Sequence, residues 1–240
     1  MSNAAAIAPV WVVMPAANEA ATIAAVVAGA LAHADGVIVV DDASHDDTAR
    51  IAGAAGATVI RLAVSLGAWG ATQTGMRSAL EQGAGAVITM DADGQHLPDE
   101  LPVLCEALAA GADVVVGAAP VRASWQRRLA WWYLRLLSGT DVHDLTSGFR
   151  AYREPAVRVL ISRDSMLLNY QDLGVLLLLK HHDLVIDEVS VQMADRIEGR
   201  SRIFRSWWVV LRYLLESTVL AVSGGLWRQR LQRVLRRSPA

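Results

Sequence analysis

The sequence predicts an α/β fold, a mostly parallel sheet flanked by helices, followed by a C-terminal helical region. Two observations predict it. Up to Gly117, short β-branched runs alternate with Ala-rich stretches of helical length, the pattern of βα units. Beyond Gly117 the texture changes to long stretches rich in Arg, Trp and Leu.

Strands are expected at Val10 to Met14, Val37 to Asp41, Thr58 to Leu62, Ala86 to Met90 and Asp113 to Gly117. Helices are expected between them at Glu19 to Ala32, Asp46 to Ala55, Trp69 to Gln82 and Pro98 to Ala110. Ser44 and Asp46 are the candidate caps of the second helix, and Pro98 suits the first turn of the fourth. Further helices are expected at Ser124 to Ser138, Glu154 to Ile161 and Tyr170 to His181, with a strand at Leu184 to Val191. No internal repeat interrupts this order. The chain divides into one domain, residues 1–202, and a C-terminal amphipathic and basic region, residues 203–240.

The 240 residues carry a net charge of −2, and 53% are hydrophobic, enough for a sizeable core. That composition excludes a disordered chain, and the lone Cys105 excludes a disulfide scaffold and suits a reducing compartment. The neutral total is a cancellation: residues 1–120 hold 3 basic and 13 acidic side chains, residues 121–240 hold 19 and 11. Met1 to Ala8 has no basic segment, so no cleavable signal peptide is read there. The apolar window Trp207 to Trp227 approaches a membrane span in length but contains Arg212 and Glu216. Each charge costs roughly 2.5 to 3.5 kcal/mol at the centre of a spanning helix, which argues for a helix lying on a surface instead. Trp207, Trp208, Tyr213 and Trp227 are interface-seeking rings, and Arg228, Arg230, Arg233, Arg236 and Arg237 would meet anionic headgroups. The bland reading is a helix pair packed on the domain or on a second copy in a homo-oligomer. No nucleic-acid module is recognisable, so nucleic acid is not an expected partner.

Three segments could carry chemistry. The sharpest is Met90-Asp91-Ala92-Asp93-Gly94-Gln95-His96, directly after a strand. Two carboxylates so spaced can converge on one hard cation and leave sites for phosphate oxygens, as Mg²⁺ prefers. Gln95 could add an oxygen, and His96 reads as a turn residue. Next come Pro15-Ala16-Ala17-Asn18-Glu19 after the first strand and Asp41-Asp42-Ala43-Ser44-His45-Asp46-Asp47-Thr48 after the second. Polar groups at two adjacent strand ends can grip a nucleoside, though Asn18, Ser44 and Asp46 could equally be caps. The third, Ser65 to Gly75, is Gly-rich and offers Gly70 for close backbone approach, but spells no dinucleotide fingerprint.

Together these segments resemble family 2 glycosyltransferases, and most closely the branch of dolichyl-phosphate mannose synthases and other polyprenyl-phosphate glycosyltransferases. Val12 to Glu19, Val39 to Ser44 with Asp47-Thr48, and Asp91 to His96 carry the resemblance. Asp144-Leu145-Thr146-Ser147-Gly148-Phe149-Arg150-Ala151-Tyr152 and Arg196-Ile197-Glu198-Gly199-Arg200-Ser201 look like that branch's later motifs. The resemblance implies a GT-A (Rossmann-like) fold and inverting transfer from a nucleotide-sugar, of the UDP, GDP or dTDP class. It implies a divalent metal, Mg²⁺ or Mn²⁺, at Asp91 and Asp93 with Gln95, and a nucleoside pocket at Pro15, Glu19 and Asp42, to which Asn18, Asp41 and Gly70 are added as binding candidates. The acceptor it implies is a polyprenyl phosphate, reached from the cytoplasmic face of a membrane.

The sequence departs from the family pattern at four places. Ala17 replaces an aromatic, Ala43 replaces a Gly, the Gly-rich segment lacks a Lys, and Ala118-Ala119 stands where Ser-Arg is usual. Arg122, Arg127 or Arg128 could supply the missing cation. Arg suits phosphate because its planar fork binds two oxygens at once, so Arg127, Arg128, Arg150, Arg196, Arg200 and Arg202 are the candidates beside the phosphates, and Arg128, Arg196, Ser201 and Arg202 are taken as substrate-binding. Asp93, Asp144 and Arg150 are the catalytic candidates. A lipid phosphate is already anionic, whereas a sugar hydroxyl needs a base, for which Asp144 is the first choice. Two other classes fit parts of the pattern. Ala17 and Ala119 suit a weakened nucleotide- or lipid-binding relative. Asp91-Ala92-Asp93-Gly94 also resembles the nucleophile loop of haloacid-dehalogenase-like phosphatases, but Lys180 is the only Lys and no matching acidic pair follows it.

Overall fold

In the computed structural model the described residues are 9–119, 142–145, 147–163, 165 and 173–194. The expected helix over residues 124–138 and the region 203–240 lie outside them, as do Arg128, Arg196, Ser201 and Arg202.

In chain order the elements are β1 (Val10–Ala16), α1 (Ile23–Leu31), β2 (Gly36–Asp41), α2 (Thr48–Ala54), β3 (Thr58–Arg61), α3 (Gly67–Glu81) and β4 (Ala86–Thr89). A 3₁₀ turn (Pro98–Glu100), α4 (Leu101–Ala109), β5 (Val114–Ala118), β6 (Arg150–Arg153), α5 (Glu154–Leu160), α6 (Leu173–His181) and β7 (Ile186–Ser190) complete them. The seven strands form one sheet in the order β3-β2-β1-β4-β6-β5-β7. Among the described strands only β6 runs antiparallel to its neighbours, β4 and β5. The sheet is therefore mostly parallel, as expected, but mixed.

Both faces are covered, which is why the strands read as continuous apolar runs. All six residues of β2 are buried. On one face Val12, Met14, Val39 and Ile88 pack with Ile23 and Val27 of α1 and Leu101, Leu104 and Leu108 of α4. On the other, Val13, Val40 and Val87 pack with Met76 of α3, Val157 of α5 and Leu179 of α6. Each such side chain contributes about 1.5–3 kcal/mol by leaving water.

Where elements differ from expectation, a specific contact is the cause. The helix expected from Glu19 begins at Ile23, because residues 18–20 are held by the loop after β2. The helix expected at Trp69 begins earlier, at Gly67, because Asp42 accepts hydrogen bonds from its first amides. Pro98 opens a 3₁₀ turn rather than the α-helix. Pro102 has no N–H to return to the Pro98 carbonyl, so the α-helical ladder starts afresh at Leu101. The strand β6 was not expected at all. Its sequence, Arg-Ala-Tyr-Arg, has no apolar run, and it is held by ladders on both sides.

Candidate functional site

Parallel neighbours place the C-terminal ends of β1, β2 and β4 side by side, and the strand order reverses between β1 and β4. In open α/β sheets ligands bind at such a reversal. The antiparallel β6 brings its N-terminal end to the same edge, since Arg150 pairs with Thr89 of β4 and Val116 of β5. The segments 15–19, 41–48, 90–96 and 142–149 therefore converge.

The turn after β4 is anchored from below. The Asp91 amide donates to His96 Nδ1 at 3.0 Å, which assigns the ring proton to Nε2. His96 is buried and stacks on Phe149 at 5.0 Å between ring centroids. It is thus the anchor of the turn, a role its reading as a turn residue missed. The Thr22 hydroxyl donates to the Ala92 carbonyl at 2.7 Å, tying the turn to α1 across the reversal. The Asp93 carboxylate accepts from the Gln95 amide at 3.0 Å, and Gly94 takes a φ of 76°.

These anchors leave the Asp91 side chain 54% exposed. The neighbouring segment passes close to it: a Cβ on Gly148 would lie 3.4 Å from both Asp91 oxygens. The Thr89 hydroxyl holds the Gly148 carbonyl at 2.7 Å, and the Ser147 hydroxyl donates to the Gly117 carbonyl at 2.6 Å. Among the described residues no three or more His, Cys, Asp or Glu side chains converge. A cation here would be held by Asp91 and Asp93, with Gln95, water or substrate oxygens completing its shell, the donor set that suits Mg²⁺ or Mn²⁺.

The loops after β1 and β2 are knitted together. The Asn18 amide donates to Ser44 Oγ at 2.9 Å, and Asn18 Oδ1 accepts from the His45 amide at 2.9 Å. The Glu19 amide donates to Thr48 Oγ1 at 2.8 Å, and the Ala20 amide to Asp46 at 3.2 Å. Ser44 and Asp46 therefore bridge two loops; Asp46 also accepts from the Thr48 amide, the first of α2, at 3.0 Å, as a capping residue does, whereas Ser44 makes no bond to that helix end. Burial opposes ionisation of Asp46, but the bonds from Thr48 and Ala20 outweigh it and hold its carboxyl below the usual range. A depressed carboxyl keeps its stabilising contribution at every pH above the ordinary carboxylate range and loses it only as pH falls through the lowered value. Asn18 and Ala43 both take a φ of 59°. Asn tolerates that region, whereas for Ala it costs about 1–2 kcal/mol. Ala43→Gly is expected to stabilise the fold by about 0.5–1 kcal/mol, the relief being partly offset by the greater entropy of an unfolded Gly. Denaturant unfolding checks this, and a lower midpoint would contradict it.

Three expected binding residues are placed differently. Asp41 is fully buried: one oxygen accepts from the Ser44 amide at 3.1 Å, and the other lies 3.3 Å from Arg61 Nε without hydrogen-bond alignment. It shapes the turn and presents no surface to a ligand. Asp42 is 8% exposed and acts as a remote cap of α3, accepting from Ser65 Oγ at 2.7 Å, the Leu66 amide at 2.6 Å and the Gly67 amide at 3.0 Å. A carboxylate offers about four acceptor positions, so roughly one remains for a base edge. Gly70 lies inside α3, where a Cβ would meet Leu66 Cβ at 2.7 Å, so its smallness serves the helix turn. Pro15 and Glu19 are half-buried at the edge, and Asn18 is exposed there.

On the other side of the turn Asp144 is 7% exposed, and its amide donates to Glu188 at 3.1 Å. Arg150, a catalytic candidate from sequence, is fully buried. Its Nη2 donates to the Leu145 carbonyl at 2.9 Å, while Nε and Nη1 have no partner. It touches no solvent, so the structure places this candidate beneath the site rather than on its surface.

Residues 11–161, which span most of this sheet, match the family model described as glycosyl transferase family 2. The chain belongs to glycosyl transferase family 2. Membership replaces the phosphatase reading of the Asp91 turn. An undecaprenyl-phosphate mannosyltransferase of Micrococcus luteus is 37% identical, covering 52% of this chain and 57% of that protein. A polyprenol monophosphomannose synthase of Mycolicibacterium smegmatis is 33% identical, covering 59% and 60%. The chain thus spans under two thirds of the length of these two relatives. Among solved structures, glucosyl-3-phosphoglycerate synthase from Mycobacterium tuberculosis in complex with phosphoglyceric acid aligns with a TM-score of 0.69 at 23% identity, covering 88% of this chain and 79% of that one. The same enzyme with Mn²⁺, UDP and phosphoglyceric acid aligns at 0.65 with 22% identity, covering 88% and 78%. The family 2 chain therefore has the GT-A fold.

Proposed function

We propose that this family 2 member moves a hexose, with inversion, from a nucleotide-diphosphate-sugar to a polyprenyl phosphate at a membrane surface. The observation that carries the reading is the half-exposed Asp91 and its partner Asp93, set at the strand-order reversal between the nucleoside-side loops and the Asp144 segment. Two relatives named as acting on undecaprenyl phosphate or polyprenol supply the acceptor class.

Pro15, Glu19 and the remaining acceptor position of Asp42 line the nucleoside side. Asp91, Asp93 and Gln95 would hold a divalent metal, which would supply positive charge to a departing diphosphate. The acceptor oxygen forms its bond to the anomeric carbon on the face opposite the leaving group. The bond from that carbon to the diphosphate oxygen breaks, and its electron pair departs with the nucleotide. Asp144 takes the proton that a singly protonated phosphate or a hydroxyl acceptor still carries. Among the described residues no helix is long and apolar enough to cross a membrane. Peripheral attachment on the cytoplasmic face is assigned to residues 203–240, and the phosphate-side cations to Arg128, Arg196 and Arg202, with Ser201.

Thermal shifts with UDP-, GDP- and dTDP-sugars and Mn²⁺ test the donor half. One class is expected to stabilise the protein by about 2.7 kcal/mol at a hundredfold excess over Kd, and only with metal present. No shift with any of the three would contradict the proposal.

A further inference from the structure

We propose that Glu188 is a positioning residue that fixes Asp144 at the site through two backbone amides. The inference rests on the reading of Asp144 as the proton acceptor. Glu188 Oε2 accepts from the successive amides of His143 and Asp144, and Oε1 lies 3.3 Å from His143 Nδ1. Two consecutive N–H groups thus close on one anionic oxygen, and charged acceptors make the stronger hydrogen bonds. With its side chain 18% exposed, Glu188 is largely shielded from water that would compete for those amides.

The segment that carries Glu188 runs on to contact the Asp91 turn. Glu188 is paired with Val116 of β5 in the ladder, and four residues beyond the end of β7 the Ala194 amide donates to the Gln95 carbonyl at 2.9 Å. Met193 forms a bridge with His96, the anchor of that turn. One continuous segment, residues 186–194, therefore holds both the metal-side turn and the Asp144 backbone. Arg150 and Ser147 anchor the residues that follow, at Leu145 and Gly117, whereas Glu188 grips residues 143 and 144 themselves. Glu188 thereby sets the spacing between Asp144 and Asp91. A misplacement of about 1 Å at a reacting group costs roughly 100-fold in rate.

The test measures kcat, donor KM, Mn²⁺ activation and thermal unfolding for Glu188→Ala, Glu188→Gln, Asp144→Asn and the Glu188→Ala/Asp144→Asn pair. Glu188→Ala is expected to lower kcat about 10- to 100-fold, with donor KM and Mn²⁺ activation changed less than about twofold. Glu188→Gln keeps an oxygen for both amides and is expected to recover most of kcat. The double variant should be no slower than Asp144→Asn alone. If Glu188→Ala does not fold, Glu188→Asp, whose shorter side chain withdraws the acceptor, carries the same prediction. Unchanged kcat in folded Glu188→Ala, or additive losses in the double variant, would overturn the proposal while leaving Asp144 in place. Full activity of Asp144→Asn would instead remove the role of Asp144, and that of Glu188 with it.

Discussion

Asp93→Asn is expected to slow sugar transfer about 100- to 1000-fold while leaving the protein folded, the scale of several kcal/mol of transition-state charge stabilisation. The asparagine is chosen for what it keeps. Asp93 has a structural task, accepting from the Gln95 amide at 3.0 Å, and the Asn side-chain oxygen performs it equally well. What is lost is the anionic charge for the metal. Asp93→Ala removes both, so it should lose the same activity and a further 0.5–1.5 kcal/mol or so of stability. Kinetics across a Mn²⁺ titration, paired with thermal unfolding, separate the two effects. Full activity and unaltered metal dependence in Asp93→Asn would remove the metal site from the mechanism.

Arg150→Met is expected to make the protein more stable and less active. Arg150 is fully buried, and only Nη2 is hydrogen-bonded, to the Leu145 carbonyl. A buried charge without full compensation costs several kcal/mol. Methionine has similar length, packs readily and carries no charge. Against the gain stands the loss of the 2.9 Å bond to Leu145, worth about 1–3 kcal/mol for a charged donor. The net expectation is about 1–2 kcal/mol of added stability, or an unfolding midpoint raised by roughly 2–8 °C. Activity should fall about 10- to 100-fold, because the guanidinium both holds the segment bearing Asp144 and adds positive potential beneath the phosphates. Calorimetry and steady-state rates on one preparation give both numbers. A variant that is destabilised would show that Arg150 serves the fold, and one that is stabilised with unchanged rate would show that it serves neither.

The parts of the molecule legible in its sequence are those built by local pattern. Gly36–Asp41 and Thr58–Arg61 lie within one residue of the expected strands because their β-branched runs sit between turn residues. The Asp91-Ala92-Asp93 turn was equally legible, since its spacing after a strand has chemical meaning by itself. What was not legible depends on contacts distant in sequence. Arg150–Arg153 is a strand because β4 and β5 leave a gap between them, not because of its own residues. Asp42 looked available for a ligand until the chain 23 to 25 residues later supplied three donors. Glu188 left one local trace, a carboxylate in the middle of a strand, and its partners at residues 143 and 144 lie 44 to 45 residues earlier. His96 reads only as a turn residue because a buried stacking partner, Phe149, is not legible in a turn sequence.

The decisive measurement is transfer of labelled sugar from UDP-, GDP- or dTDP-linked hexose to a polyprenyl phosphate in anionic liposomes with Mn²⁺, followed by the anomeric configuration of the product. A lipid-linked hexose of inverted configuration, formed with one donor class and lost when either the lipid phosphate or the metal is omitted, is the predicted result. Failure to label the lipid with any of the three donors, or a product of retained configuration, would contradict it.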